Sequence, residues 1–507
     1  MSTKSFAPTT WKPWHTWLLL GFVLVLSYFT YFHRYWEPKA VFWDENYHIA
    51  SAQKYMNGVY FMEQHPPLGK LLIALGEKMF HGNERNDQFL TTDYGTDFDA
   101  NFSFVGYRFF SALLAWWTAP VMFLILLLLL RNPLHSALLS FFYIFDNALI
   151  VHTRGAMLEG PLSFFSAITI LFFLLTFLER DRKRMFWLWT GLFGISFGMM
   201  ISTKVLGLAF ILLTLPVLWK LLPKWKRALG FLALFGGSAL LVFCSVWWIH
   251  FALGKRIQPE LPDNGYYQAS EQYKEIIAKG ETASLRNFPV MFRDSLAYIP
   301  FYNRGAPRLD LCKDDENGSV PWMWPLGART INYRWETPDG TGFRYLYLVP
   351  NPVVWWGAFA AVLLAGAMLI CSVICPPKKP LKHRFLMCVF LGLYLSFMIA
   401  ILRIPRVLYL YHYFIPLLIS FVLVGLVFDE IQSLGRKPLE DYGKTLLALS
   451  LAAMIFLGHQ FYRPLTYYEL LTDAQFARRN IFGPWDMHCV NCPRDNGLAV
   501  PRPPEQQ

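Results

Sequence analysis

Residues 17–32 read WLLLGFVLVLSYFTYF, an apolar run that begins close to the N-terminus. Within the wider segment 16–33 the run approaches the ~20 residues that a helix needs to cross a bilayer. No cleavage site made of small residues follows it. We therefore expect a retained first transmembrane helix rather than a cleaved signal peptide.

The same kind of segment recurs along the chain. Hydrophobic residues make up 55% of the sequence and charged residues only 16%, whereas a soluble protein carries about 25% charged residues. These values predict an all-α, polytopic integral membrane protein with about eleven transmembrane helices. The apolar segments cover residues 16–33, 104–130, 134–151, 161–178, 186–201, 205–219, 228–252, 352–374, 385–402, 407–428 and 445–462.

The positive charge of the chain follows the loops between these segments. The formal net charge is +11, which in a soluble protein would suggest a nucleic-acid partner. Here the basic clusters at residues 180–184, 220–227 and 378–384 lie between apolar segments, as cytoplasmic loops of membrane proteins do. The pattern predicts a cytoplasmic N-terminus, an external C-terminus and no nucleic-acid partner.

This orientation divides the chain into four parts. Residues 1–252 form an N-terminal transmembrane module, whose first external loop is 34–103. Residues 253–351 form an external subdomain, 352–462 the C-terminal transmembrane helices, and 463–507 an external tail. In that tail the spacing of Cys489 and Cys492 favours a local disulfide.

The first external loop contains the most suggestive polar residues. A helix over 44–56 would place Asp44 and His48 on one face, four residues apart. After His65, the pair Pro66-Pro67 ends one segment and opens an amphipathic helix at 71–75, too short to span and suited to the membrane interface. Alternatively, Asp44 and Glu45 are acids at a helix N-terminus, or Asp44, His48 and His65 bind a metal, although they match no ligand motif.

Two further clusters lie at the predicted external membrane edge. One contains Arg154 and Glu159. These two residues either take part in the function of the protein or form an ion pair with a purely structural role. The other contains Arg403 and Arg406. Two guanidinium groups at this depth can bind a phosphate, or they can extend towards lipid headgroups.

Several motifs, taken together, resemble those of the protein O-mannosyltransferase family. Asp44-Glu45 matches an acidic signature of that family and His65-Pro66-Pro67-Leu68-Gly69-Lys70 a second one. The remaining matches are Arg108 in Gly106-Tyr107-Arg108-Phe109-Phe110, Arg154-x-x-x-Leu158-Glu159-x-Pro161-Leu162, Lys204-Val205-Leu206-Gly207-Leu208, Asn351-Pro352-Val353-Val354-Trp355-Trp356 and His412-Tyr413-Phe414-Ile415-Pro416. Eukaryotic members of that family carry a large repeat domain in the second external loop. Residues 253–351 are too few to form such a domain, which is what a bacterial member of the family would show.

The resemblance implies a GT-C-type membrane glycosyltransferase. Such an enzyme transfers a mannosyl or similar hexosyl group, with inversion, from a polyprenyl-phosphate donor to Ser/Thr hydroxyls of exported proteins. It would act on the external face of a plasma (inner) membrane. Asp44 would be the catalytic base with Glu45 beside it, and His65 and Glu159 would support the acceptor side.

The donor phosphate would be bound by arginines at the membrane edge: Arg154, Arg403, Arg406 and Arg108. The resemblance implies that no cofactor is required, although Asp44 and Glu45 could bind a divalent metal ion.

Two other functions compete with this one. A related transferase would use the same donor but modify a lipid or a cell-envelope glycan, as aminoarabinose transferases do. A secondary transporter would instead place ionisable residues near the middle of its spans. In this chain the acids cluster at one face of the membrane, which argues against a transporter.

Overall fold

The computed structural model describes most of the chain. The described residues are 12–87, 101–178, 183–258, 265–313, 316–338, 340, 342–376, 380–431, 433–434, 437–438 and 440–490.

Most of these residues are helical. In chain order the helices are α1 (Pro13–Ser27), α2 (Glu45–Met56), α3 (Leu68–Phe80), α4 (Val105–Leu130), α5 (Pro133–Leu139), α6 (Phe141–Ile144), α7 (Asn147–Thr153), α8 (Glu159–Leu178), α9 (Lys183–Ile201), α10 (Thr214–Leu221), α11 (Trp225–Leu253), α12 (Glu271–Ala278), α13 (Phe288–Gly305), α14 (Pro352–Ile374), α15 (Arg384–Leu402), α16 (Phe414–Glu430), α17 (Asp441–Thr466) and α18 (Asp473–Ala477). A π-helix (Tyr28–Phe32) extends α1, and 3₁₀ helices cover Val205–Leu213, Leu222–Lys224, Tyr266–Gln268, Pro321–Leu326, Leu410–Tyr413 and Gly483–Trp485.

The helices confirm a multi-pass membrane protein. Within the described ranges, nine helical segments are long and apolar enough to cross a membrane, or ten if the bent pair Pro133–Ile144 and Asn147–Thr153 is one span. The predicted number of eleven is therefore not confirmed. The difference arises because the predicted segments 205–219 and 228–252 lie in one helical stretch, Val205–Leu253.

The helix bundle has a buried centre and a lipid-facing edge. Residues 410–428, which include most of α16, are all buried. By contrast, α1 exposes Trp17 and Phe22, and α14 exposes Ile374. Helices that are apolar on every side suit both positions, since the outer ones are solvated by lipid. The core continues from α4 to α8, from α8 to α9 and from α9 to α11, each packed on the next.

A small antiparallel sheet lies beside the bundle. Its strands, in spatial order, are β1 (Ile331–Glu336), β2 (Phe343–Leu348) and β5 (Leu470–Leu471), while β3 (Ser433–Leu434) pairs with β4 (Lys437–Pro438). The register of β1 shifts between Asn332 and Arg334, so Tyr333 lies in a bulge, which redirects a side chain. Because β5 follows α17, the sheet joins the segment before α14 to the segment after α17.

The two short helices predicted after the first span are confirmed. Helix α2 begins at Glu45 with Asp44 as its N-cap, and α3 begins at Leu68 directly after Pro66-Pro67. Helix α3 packs against both α2 and α4. Asp44 is thus positioned by α2, which packs through α3 against the transmembrane helix α4. In the tail, Cys489 is disulfide-bonded, and Cys492 lies outside the described residues.

Candidate active site

A cavity of about 800 Å³ opens beside the N-terminus of α2. Its walls come from the segments around α2 and α3, the α8 and α9 ends, the end of α13 and the segment before α16. The lining residues are Asp44, Tyr47, His48, Gln64, His65, Lys70, Glu159, Lys204, Phe301, Tyr302, Arg304, Gly305, Ala306, Pro307, Arg406, Val407, Tyr409, Tyr411 and His412. We call it the main cavity.

Asp44 presents its carboxylate to the main cavity. The side chain is half-buried, and its Oδ2 accepts a hydrogen bond of 3.1 Å from the Tyr411 hydroxyl. Burial raises the pKa of Asp44 above its usual range, and the Tyr411 hydrogen bond opposes that shift. The preceding residue, Trp43, has φ of 51°, a left-handed conformation that is strained for a bulky side chain. Strain of this kind is concentrated at functional sites.

Glu45 points away from the main cavity into the protein. Its Oε1 and Oε2 each accept a 2.7 Å hydrogen bond from the guanidinium of Arg108. The Ala156 and Phe42 main-chain N–H groups also donate to this carboxylate, at 2.7 and 3.2 Å. Arg108 donates in addition to three carbonyl oxygens of the loop after α1, those of Trp36, Pro38 and Ala40. This buried network fixes the position of the backbone that carries Asp44.

Glu159 forms a second network on the far wall of the main cavity. It pairs with Lys204, and its Oε2 lies 2.8 Å from Nε2 of His152. Nδ1 of His152 lies 2.6 Å from the hydroxyl of Tyr333, the bulged residue of β1. Both ring nitrogens of His152 therefore have a hydrogen-bond partner. The sequence alternative, an Arg154–Glu159 ion pair, is wrong, because Lys204 and His152 take that place.

The two networks meet at Tyr411. Its ring stacks on His152 with a centroid distance of 4.5 Å and an interplanar angle of 21°, while its hydroxyl binds Asp44. The Lys204 ammonium also lies 5.6 Å from the Tyr411 ring centroid, within cation–π range. Asp44 and Glu159 are therefore linked through one aromatic side chain.

The four predicted arginines lie in four different places. Arg406 lines the main cavity and donates to Oε1 of Gln64 at 3.2 Å. Arg403 is exposed and is not among the lining residues. Arg108 is buried in the network of Glu45, and Arg154 lines a different cavity.

Arg304, at the end of α13, also lines the main cavity, which sequence reasoning missed. Within the described ranges, neither Arg304 nor Arg406 forms an ion pair with a carboxylate. Both guanidinium groups are therefore open to an anionic ligand.

The two predicted histidines, His48 and His65, both line the main cavity. His65 lines it as predicted, and burial lowers its pKa well below the usual range, with nearby Lys204 and Lys70 acting in the same direction. His48 shares the face of α2 with Asp44, as predicted, and its Nδ1 is buried without a hydrogen-bond partner. In the part of the chain that the structure describes, no group of three His, Cys, Asp or Glu residues could hold a metal ion. Independence of metal stays a prediction.

Comparison with known proteins now gives the family. A family model described as dolichyl-phosphate-mannose-protein mannosyltransferase matches residues 21–254. A second model, of the C-terminal four-transmembrane region of protein O-mannosyltransferase, matches residues 306–485. Together the two stretches cover most of the chain, and they include every residue that lines the main cavity except Phe301, Tyr302, Arg304 and Gly305. The chain belongs to the protein O-mannosyltransferase family.

Individual relatives agree with this family. The chain is 30% identical to protein O-mannosyltransferase 1 of Drosophila melanogaster over 47% of its own length and 28% of that protein. It is 28% identical to dolichyl-phosphate-mannose--protein mannosyltransferase 4 of Candida albicans over 55% of its length and 38% of that protein. The chain thus matches well under half the length of these curated relatives.

A solved structure confirms the fold. The S. cerevisiae protein O-mannosyltransferase Pmt1-Pmt2 complex bound to the sugar donor has a chain that superposes with a TM-score of 0.81. The superposition covers 96% of this chain and 94% of that one, at 16% identity. A likeness at this identity shows the fold alone, which is the predicted polytopic GT-C type.

Proposed function

We propose that this protein transfers a mannosyl or similar hexosyl group from a polyprenyl-phosphate sugar to Ser/Thr hydroxyls of exported proteins. One observation supports this above the others. The Asp44 carboxylate faces a cavity in which two arginines, Arg304 and Arg406, have no acidic partner among the residues that the structure describes. A base and an anion site in one cavity are what transfer from a sugar phosphate requires.

The reaction is a single displacement. Asp44 accepts the proton of the acceptor hydroxyl while that oxygen bonds to the anomeric carbon. The bond from this carbon to the phosphate oxygen breaks at the same time, and the electron pair leaves with the lipid phosphate. Attack from the face opposite the phosphate inverts the anomeric configuration.

The leaving group explains the basic wall of the main cavity. A lipid phosphate gains negative charge as it departs, so Arg406 and Arg304 stabilise it with fixed guanidinium donors. No general acid is needed, because the phosphate leaves without a proton. Arg403, Arg154 and Arg108 were also predicted to bind the phosphate, and we expect them to contribute less because they do not line the main cavity.

Glu45, His65 and Glu159 support the site. Glu45 holds the backbone of Asp44 through Arg108, whereas Glu159 positions Lys204 and His152 on the acceptor side. His65 can form hydrogen bonds with sugar or acceptor hydroxyls. In this proposal the active site and the C-terminus are external, the N-terminus is cytoplasmic, and the membrane is a plasma (inner) membrane.

The test is transfer of label in isolated membranes. Membranes that contain the protein, or its Asp44→Asn variant as a matched control, receive radiolabelled polyprenyl-phosphate mannose, with and without a chelator. We expect Asp44-dependent label in delipidated protein, released by β-elimination, in both conditions. Asp44-dependent label only in the lipid fraction would instead assign a lipid acceptor. Activity lost in chelator and restored by a divalent metal would show metal dependence.

A further inference from the structure

A second cavity, of about 650 Å³, lies between the end of α1 and the end of α17. We call it the α1–α17 cleft. It shares no lining residue with the main cavity. Its walls are Leu26, Phe29, Thr30, His33, Arg34, Glu37, Pro38, Phe145, Arg154, Arg344, Leu346, Phe456, His459, Gln460, Arg463, Thr466, Tyr467, Tyr468 and Glu469.

One end of the cleft has an excess of positive charge. Four arginines line it against two carboxylates. Arg34 lies 3.7 Å from Glu37, Arg463 lies 3.0 Å from Glu469, and Arg344 pairs at 3.2 Å with Glu336, which does not line the cleft. Arg154 forms no ion pair with a carboxylate among the described residues. The cleft therefore contains one guanidinium that is not paired with a carboxylate in the described ranges, although Glu37 is near enough to act on its charge.

Arg154 is held in place and still has donors to offer. Only 7% of the residue is exposed. It donates to the carbonyl oxygens of Thr30 and Arg34, at 3.4 and 2.6 Å, and lies 4.9 Å from the centroid of the Tyr467 ring. Those bonds use two of its five N–H groups. A rigid, desolvated guanidinium with free donors is suited to phosphate oxygens.

The other end of the cleft is apolar and partly exposed. Leu26, Phe29, Phe145 and Phe456 line it, and Phe29 and Phe456 are 57% and 41% exposed on helices that cross the membrane. At this point α1 changes to the π-helix Tyr28–Phe32, a rare conformation that is frequent at functional sites. The cleft thus combines a cationic end with an apolar end open to the bilayer.

We propose that the α1–α17 cleft binds an anionic phospholipid, with its phosphodiester on Arg154 and an acyl chain along Phe29 and Phe456. Arg34 and Arg463, at the rim, add charge near the headgroup. Free phosphate shares the anion chemistry but would leave the apolar end unfilled. The proposal does not depend on the transfer reaction.

The bound lipid would act on the same turn that supports the active site. Arg154 follows α7, which contains His152, and precedes Ala156, whose N–H donates to Glu45 at 2.7 Å. Arg154 also joins that turn to the carbonyl groups at the end of α1. Filling the cleft should therefore raise the thermal stability of the protein.

Native mass spectrometry and thermal unfolding of the purified full chain in neutral detergent test this. The probes are phosphatidylglycerol, phosphatidylcholine and inorganic phosphate. We expect phosphatidylglycerol to remain bound and to raise the apparent Tm, whereas the other two do so much less. Equal effects of phosphatidylcholine would contradict the preference for an anionic headgroup. Equal effects of inorganic phosphate would show that the cleft binds an anion without needing the lipid chains, and would contradict the proposal of a lipid ligand.

Three variants locate the site. Arg154→Gln, and the exposed rim variants Arg34→Gln and Arg463→Gln, should each weaken phosphatidylglycerol binding, Arg154→Gln by about tenfold, the effect of losing a charge-assisted hydrogen bond. Arg286→Gln, exposed and outside the cleft, is the matched control and should bind as the wild type does. If Arg154→Gln does not fold, the two rim variants still test whether phosphatidylglycerol binds in the cleft. Unchanged binding in both rim variants would contradict the proposal.

Discussion

The guanidinium of Arg108 and the carboxylate of Glu45 form a bidentate ion pair, with both N–O distances 2.7 Å and neither side chain exposed. The pair explains why two adjacent acids have different roles. Glu45 is neutralised inside the protein, whereas Asp44, one residue earlier, remains open to the main cavity. The buried pair orients the first turn of α2, and Asp44 is oriented with it.

Loss of this pair should destabilise the protein. Arg108→Lys keeps a positive charge. A lysine cannot form the bidentate contact with Glu45 and at the same time donate to the three carbonyl oxygens that Arg108 reaches. A hydrogen bond to a charged group contributes about 1.5–3 kcal/mol, and a lysine cannot replace all the bonds of Arg108, so we expect a large decrease in apparent Tm in detergent. Arg403→Lys, exposed at the membrane edge, is the control and should unfold as the wild type does.

A double substitution tests the coupling directly. The combined Glu45→Gln and Arg108→Gln protein should lose less stability than the sum of the two single variants, since neither charge is then left alone. Strict additivity, or a wild-type Tm in Arg108→Lys, would show that the pair does not support α2.

The pH dependence of transfer should report on Asp44. The base acts when ionised, so activity falls as the pH decreases through its pKa, which burial raises above the usual range. The Tyr411 hydroxyl stabilises the ionised carboxylate and lowers that pKa. In Tyr411→Phe the pKa therefore rises further, and the acid limb of kcat/KM should move to higher pH.

A neighbouring tyrosine provides the control for this shift. Tyr409 also lines the main cavity and stacks on Tyr411, at 5.7 Å between ring centroids. Tyr409→Phe should leave the acid limb near its wild-type position. If the acid limb of Tyr411→Phe does not move, or moves to lower pH, the loss of activity at low pH does not report the ionisation of Asp44.

Donor binding should depend on Arg406. Arg406→Lys retains the charge but loses bidentate contact with phosphate. A hydrogen bond to a charged group contributes about 1.5–3 kcal/mol, so we expect the donor KM to rise by about tenfold or more, with a smaller change in the acceptor KM. Arg403→Lys serves as the matched variant from the same segment. A raised donor KM in Arg403→Lys alone would move the phosphate site out of the main cavity.

Membrane orientation can be tested with native cysteines. Cys312 and Cys375 are both exposed free thiols; Cys312 belongs to the predicted external subdomain and Cys375 lies at the end of α14, on the predicted cytoplasmic side. In single-cysteine proteins, a membrane-impermeant maleimide should label Cys312 in intact cells and Cys375 only after permeabilisation. The reverse pattern would invert the orientation and place Asp44 on the cytoplasmic face.

Local patterns in the sequence predicted the parts of the site that are local in structure. Asp44 and His48 share a helical face because they are four residues apart. Helix α3 starts directly after Pro66-Pro67 because a proline disfavours the helical conformation of the residue before it. The apolar segments gave the membrane fold, since their length and composition are enough. The number of spans was harder to predict, because four consecutive helices fill 205–253 with only the non-helical backbone of Lys224 between the two predicted spans.

Contacts between distant residues could not be predicted in this way. Tyr411 and Asp44 are separated by most of the chain, and no periodicity relates them. The role of Tyr333 depends on a bulge in β1, which has no sequence signature. One signal was present and unused: Arg108 lies inside an apolar span, where a charged side chain requires a partner, and Glu45 is that partner.

The central claim is that Asp44 is the catalytic base, and single-turnover transfer by Asp44→Asn tests it most directly. The substitution keeps the shape of the side chain and an acceptor for the Tyr411 hydroxyl but removes the basicity. The objection that a carboxylate is a weak base matters little, because the hydroxyl becomes acidic only as its bond to carbon forms. We predict that turnover decreases by ~10²-fold or more, while donor binding and apparent Tm stay at wild-type values. Near-normal turnover in folded, donor-binding Asp44→Asn would contradict this assignment and make Glu159 the next candidate.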